Sequence, residues 1–297
     1  MSGGALLYVL IFLMVTFWSG NYIAGKIALR ELSPFFLAGV RIGLAGLTML
    51  PLYAWERRAG SQPAAASQAA WRRVVQLLLL GVLGVTLNQF FFIVGLNRTS
   101  VAHAAILIGL TPIQVLIIAK LRGQEQITVR KATGMAIALA GVALLKWFEP
   151  AAGTSATLLG DFFILLAGLC FALFTVFGKE VTARYSTITM NTYAYVGGGL
   201  ALLPLTLWEA ARQPLTHVSA TAWLAAIYMA LFPSVIAYLI YYHALAHMSA
   251  SRVSAFSYLQ PVFASIMGVF MLGENLGAPA IGGGIVILAG VYLAERG

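Results

Sequence analysis

The chain has 297 residues, of which 61% are hydrophobic and 9% charged, with a net charge of +9. Soluble domains average about 45–50% apolar and about 25% charged residues, and only lipid tolerates an exterior as apolar as this chain would need. That excludes a soluble enzyme or binding module, and the basic residues, spread over short loops, mark membrane orientation rather than nucleic-acid binding.

Apolar runs near the roughly 20 residues a bilayer requires predict ten membrane helices. In chain order they cover residues 5–25, 34–54, 74–96, 102–121, 132–147, 158–178, 188–207, 220–242, 253–272 and 279–294. The runs are solid, whereas barrel strands would alternate, so the fold class is an all-α integral membrane protein. The first run lacks a basic leader and a small-residue cleavage site, so it reads as a retained helix. The longest connection, Glu56–Arg73, contains Gly60, Pro63 and an Ala/Ser/Gln-rich stretch and reads as a flexible linker. Cys170 is the only cysteine, which leaves no disulfide within the chain and fits a small buried hydrophobe. No motif calls for a cofactor or a metal.

With the N-terminus inside, 12 basic residues fall on the terminal side (among them Arg57, Arg58, Arg72, Arg73, Arg130 and Lys131) and 6 on the other. This bias places both termini in the cytoplasm and the protein in a bacterial inner membrane.

The second half echoes the first. Gly25-Lys26 returns as Gly178-Lys179 and Leu50-Pro51 as Leu203-Pro204, at an offset of 153 (178 − 25). Ser100, Pro112, Glu125, Gly134 and Gly141 return as Ser249, Pro261, Glu274, Gly283 and Gly290, at an offset of 149 (261 − 112). The organisation is therefore residues 1–148 as a first repeat of five helices, 149–157 as linker and 158–297 as a second repeat. Five is odd, so the second unit enters the membrane upside down. Inverted repeats create two related conformations, each open to one side, with a site between the halves near mid-depth.

Trp18-Ser-Gly-Asn21-Tyr22-Ile-Ala-Gly-Lys26 resembles the first-helix signature of the EamA family in the drug/metabolite transporter superfamily. Pro34, Ala38 and Arg41 resemble its second-helix pattern. Ser100-Val-Ala-His-Ala-Ala, Thr111-Pro112 and Gly123-Gln-Glu125 resemble the end of an EamA domain, and Ser249-Ala-Ser-Arg-Val-Ser, Gln260-Pro261 and Gly273-Glu274 repeat it. The resemblance implies ten helices in two EamA domains and export of amino acids, related metabolites or drugs. The second half departs from the pattern, with Phe171 and Phe174 where the first has Trp18 and Asn21.

Helical spacing places Trp18, Asn21 or Tyr22, and Gly25 on one face, suited to a cavity wall or to plain helix packing. Asn88 and Gln89 lie inside the third run, where amides must face protein or water. Tyr193, Tyr238 and Gln260 complete the candidate substrate-binding set, with interfacial anchoring the alternative for a tyrosine. Pro112 and Pro261 predict kinks that act as hinges or as static packing features. Lys26 and Arg41 lie near the outer ends of their helices, where long side chains snorkel. Symmetry suggests two gates, Lys26 with Glu274 on one side and Lys179 with Glu125 on the other. Gly197–Gly199 and Gly282–Gly284 serve internal packing or the contact of a homodimer.

No ATP-binding, HExxH or GxSxG motif occurs, so a secondary transporter in the bilayer, taking a small-molecule substrate, is the leading function. A channel or receptor without alternating access, or a membrane-embedded enzyme, is the rival.

Overall fold

The structure, a computed structural model, describes residues 3–59, 68–96, 98–99, 101–147, 157–212, 215–272 and 278–297. The first repeat runs α1 Gly3–Ala28, α2 Pro34–Arg58, α3 Gln68–Gly81, a π-helical segment Val82–Leu87, α4 Asn88–Leu96, α5 Val101–Ile108, α6 Thr111–Leu121 and α7 Val129–Trp147. The second runs α8 Leu158–Thr182, α9 Thr187–Ala210, α10 Ala220–Met229, a second π-helical segment Ala230–Ile236, α11 Ala237–His247, α12 Ala250–Ala255, a 3-10 turn Phe256–Leu259, α13 Gln260–Leu272 and α14 Ala278–Glu295. The π segments continue α3 into α4 and α10 into α11, while α5–α6 and α12–α13 form broken passes. The ten predicted spans are thus present, and the linker proposed at 149–157 lies almost wholly outside the described residues.

Helix starts follow local chemistry. Ser33 caps α2 by accepting the Phe36 N–H, with Pro34 in the first turn, where a missing N–H costs nothing. Ser186 caps α9 and Ser219 caps α10 in the same way. Pro112 and Pro261 also occupy first turns, of α6 and α13. The expectation of kinked continuous helices is corrected: each proline restarts a helix after a break, at Gly109–Leu110 or at the 3-10 turn.

Inversion shows in which residues meet. On α7 and α14, a Cβ placed on Gly134 would meet Ala294, one on Gly141 would meet Ile287, and one on Gly290 would meet Ala138. Numbers fall on one helix as they rise on the other, so these symmetry-related helices are antiparallel. The same holds for α2 and α9. There the Ser33 hydroxyl donates to Glu209 Oε2 at 2.6 Å at one end, and the Ser186 hydroxyl donates to Glu56 Oε2 at 2.7 Å at the other. Serine and glutamate are each displaced by 153 (186 − 33, 209 − 56), so one bond is made twice, once at each membrane face.

Other polar ties keep to one face. Tyr8 near the N-terminus donates to Glu295 near the C-terminus at 2.5 Å, and Arg122 pairs with Glu180 at 2.8 Å, both on the terminal side. Glu31 accepts from the backbone and hydroxyl of Ser219 at 2.6 and 2.7 Å on the opposite side. Each of these ties joins residues that the pass order puts on the same side. Between the faces, α1 packs on α10, α11 and α13 of the second repeat, while α8 packs on α4, α5 and α6 of the first. Gly197 and Gly198 face Leu78 and Val85 of the first repeat, which assigns that glycine stretch to internal packing.

Candidate functional site

Repeat-related breaks in helical regularity meet α1 and α8 at mid-depth. The second π segment supplies most of the chemistry. Pro233 has no N–H to give Met229 O, and the Ser234 hydroxyl donates to that carbonyl at 2.9 Å. The widened turn exposes the Pro233 carbonyl, which accepts Trp18 Nε1 at 3.0 Å. Ser234 Oγ in turn accepts Arg41 Nε at 2.8 Å, so successive residues of one turn fix an indole from α1 and a guanidinium from α2. π segments commonly mark functional sites.

Aromatic rings surround this turn. Trp18 lies 5.8 Å from Tyr238, 5.5 Å from Tyr241 and 6.5 Å from Phe171, and Tyr238 meets Tyr195 edge-to-face at 5.6 Å. Tyr241 shares a 2.5 Å hydrogen bond with Thr175. Buried Asn21 Oδ1, Gln114 Oε1, Asn191 Oδ1, Tyr242 OH and Tyr258 OH, with Gln124 Oε1 and Arg252 Nε nearer the terminal face, have no hydrogen-bond partner among the described residues. Such atoms are costly in a static interior.

The first-repeat π segment is filled differently. Phe174 packs over Gly84, where a Cβ would come within 2.1 Å of its ring. Thr86 Oγ1 donates to Gly198 O at 2.7 Å, and Asn88 Nδ2 to Ala167 O at 2.8 Å. The related bulges therefore differ in polarity, as the Phe171 and Phe174 departures foreshadowed.

The predicted site residues separate accordingly. Trp18 and Tyr238 meet, and Asn21 follows one turn along α1. Asn88 ties α4 to α8, and Gln89 beside it is half-buried. Gln260 is half-buried too, and its backbone carbonyl accepts the Ser19 hydroxyl at 3.2 Å. Tyr193 stands apart, bonded to Tyr53 at 3.2 Å toward the terminal face, and Tyr195 takes the place beside Tyr238. The side chains of Tyr22 and Lys26, and the whole of Glu274, lie outside the described residues. Arg41, Ser234, Tyr195 and Asn191 are absent from the sequence-derived set. The Pro233-Ser234 pair inside an apolar run was the available signal.

On the terminal face the arrangement of Glu125 departs from the expected ion pair. The left-handed Gly123, at φ 69°, closes α6 with Gly123 N–H on Lys120 O and Gln124 N–H on Ala119 O. That turn brings Glu125 back onto α7, where it pairs with Lys131 at 2.9 Å, and across to α12, where it accepts the Ser251 N–H at 3.0 Å and the Ser251 hydroxyl. Lys179 donates instead to the Leu245 and Met248 carbonyls at the end of α11, oxygens that a helix terminus leaves free. Glu125 thus bridges the two repeats through Ser251 rather than through Lys179.

Fold and site define a polytopic membrane transporter with two inverted five-helix units. The sequence profile of the EamA-like transporter family matches residues 5–147 and 158–295, and the chain belongs to that family. It is 31% identical over 292 residues to an uncharacterized transporter of Archaeoglobus fulgidus, covering 96% of each chain. It is 27% identical to the uncharacterized transporter YyaM of Bacillus subtilis, covering 97% of this chain and 93% of that one. A WAT1-related chloroplastic protein of Arabidopsis thaliana is 28% identical over 94% of this chain and 67% of its own. A solved crystal structure shares the fold with a TM-score of 0.79 at 18% identity, covering 98% of this chain and 97% of that one.

Proposed function

We propose that the protein is a secondary carrier that exports small amphipathic metabolites, such as amino acids and related solutes, by alternating access. It resides in the inner membrane with both termini in the cytoplasm. The observation carrying this reading is the exchange of α1 and α8: each packs on the repeat to which it does not belong. A rocking of one unit against the other would close one face as it opens the other, with the Trp18–Tyr238 layer as the fixed site between them. The 12-to-6 basic-residue bias toward the terminal side supports the orientation. Substrate contacts fall to Trp18, Asn21, Asn88, Gln89, Tyr238 and Gln260, the breaks before Pro112 and Pro261 act as hinges, and Glu125 and Lys179 serve the gate at the terminal face.

Flux in liposomes tests the reading. Saturable uptake accelerated by solute on the opposite side is expected of a carrier; non-saturating flux would make it a channel, and a chemically altered solute an enzyme. Trp18→Ala is expected to lower flux more than tenfold while leaving the yield of monodisperse protein within about twofold, because the indole is half-buried and has one hydrogen bond to lose, worth about 1 kcal/mol. Parallel loss of flux and yield would assign Trp18 to packing alone.

A further inference from the structure

Among the described residues, Arg41 pairs with no carboxylate. It sits seven positions into α2, about 10 Å below the helix start at 1.5 Å per residue, a depth at which a charge is expensive. Guanidinium offers five N–H donors, and the hydrogen bond described for Arg41 uses one of them, from Nε to Ser234. Every carboxylate among the described residues has a partner elsewhere: Glu31, Glu56 and Glu209 with serines, Asp161 with Thr99, Glu180 with Arg122, Glu125 with Lys131 and Ser251, and Glu295 with Arg252 and Tyr8. Arg41 is half-buried, so part of it remains open. Ser234, which orients it, is fully buried and itself anchored to Met229 O, so the guanidinium is held from a rigid turn.

Beside this cation begins an aromatic wall. Pro233, the residue before Ser234, holds the Trp18 indole, and from Trp18 the rings continue to Tyr238 and Tyr241. Because Ser234 holds Nε, the two Nη atoms remain, and their spacing matches the two oxygens of a carboxylate. One guanidinium balances one negative charge, which favours a monocarboxylate over a phosphate dianion.

We propose that Arg41 is the specificity-determining residue of the site, taking the carboxylate of an organic monocarboxylic acid, anionic or zwitterionic, whose apolar body lies on the Trp18–Tyr238 wall. This rests on the carrier reading and names the substrate class for it.

Three probes sharing a benzene ring test the assignment on the purified full chain in detergent at constant ionic strength: phenylacetate, phenylalanine and phenylethylamine. Phenylacetate and phenylalanine are expected to raise the unfolding temperature of the wild type in a saturable way, and phenylethylamine to leave it unchanged. Arg41→Gln should weaken phenylacetate binding more than tenfold, and Arg41→Lys should retain part of it. A smaller loss in Arg41→Gln, or a wild type that binds no aromatic carboxylate or binds phenylethylamine as tightly, overturns the assignment. Should Arg41→Gln not fold, the wild-type series together with Arg41→Lys decides on the same criteria. Counterflow in proteoliposomes separates the two readings. Carboxylate binding lost in Arg41→Gln, with no exchange of any solute, keeps Arg41 as the anion site and removes the carrier. Exchange unaffected by Arg41→Gln keeps the carrier and removes Arg41.

Discussion

Replacing Gly290 with leucine is expected to leave almost no folded protein in the membrane. A Cβ at Gly290 would lie 2.3 Å from Ala138 N, 2.7 Å from Ala138 Cα and 2.7 Å from Gly134 O, all backbone atoms of α7. The reciprocal contact is as tight, with a Cβ at Gly134 lying 2.3 Å from Ala294 N. No rotamer change relieves either clash, so the whole α7–α14 pair must separate. In lipid such pairs gain nothing from the hydrophobic effect and depend on close packing, which small residues permit. Overpacking against yielding side chains costs about 1–3 kcal/mol; against backbone the cost exceeds the top of that range, a large share of the 5–15 kcal/mol or so that keeps a domain folded. Gly282→Ala on the same helix is the control. Nothing lies within 4 Å of its Cβ position, and removing a helix glycine gains up to about 1 kcal/mol. Monodisperse yield and unfolding temperature measure both. Gly290→Leu protein that accumulates with an unchanged unfolding temperature would mean that α7 and α14 do not cross this closely.

The passes were legible because each is a long apolar run, and the repeat because prolines and glutamates recur at fixed offsets. Helix ends were less so: α2 continues to Arg58 and α8 to Thr182, since long polar side chains at the interface extend a helix beyond its apolar stretch. The π segments were invisible, because one extra residue per turn does not change the apolar composition of Val82–Leu87 or Ala230–Ile236. With them went the partner of Arg41, which turned a residue assigned to snorkelling into one held by Ser234. The widened turn and the tertiary packing also decide which tyrosine matters. Tyr193 and Tyr195 are two positions apart on α9, and one meets Tyr53 while the other meets Tyr238. For Glu125, the symmetry argument identified a bridging carboxylate and a lysine that feels its charge, but not its hydrogen-bonded partners. The local turn at Gly123 delivers Lys131 first, six residues away.

That carboxylate is the second place where one substitution should have a large effect. Glu125→Ala is expected to destabilise the protein by about 3 kcal/mol and to open its terminal face. The side chains of Lys131 and Glu125 are 9% and 5% exposed, so removing the glutamate strands a cation in poorly solvated surroundings. Breaking a buried pair in this way costs about 3–5 kcal/mol, and the lower end applies because both groups lie at a membrane face that water reaches. The same change leaves the Ser251 N–H and hydroxyl at the start of α12 without their acceptor, cutting the tie between the repeats. Burial raises the Glu125 carboxyl pKa, but the Ser251 hydrogen bonds and the Lys131 charge outweigh it and hold the group below the usual carboxylate value. A lowered folded-state value means the contribution is complete above the ordinary glutamate pKa of about 4.3 and is lost as pH falls through the folded value. The wild type should therefore keep this contribution from pH 7 down to the ordinary glutamate value and lose it progressively as the pH falls below that, while Glu125→Ala shows no such decline. Opening is read separately. Cys170 is the only native cysteine, so Ser254→Cys in a Cys170→Ser background reports on one buried position of α12. A membrane-impermeant maleimide applied from the terminal side should label it several-fold faster once Glu125 is replaced by alanine. Equal labelling rates with and without the carboxylate would show that Glu125 contributes only stability and does not hold that face shut.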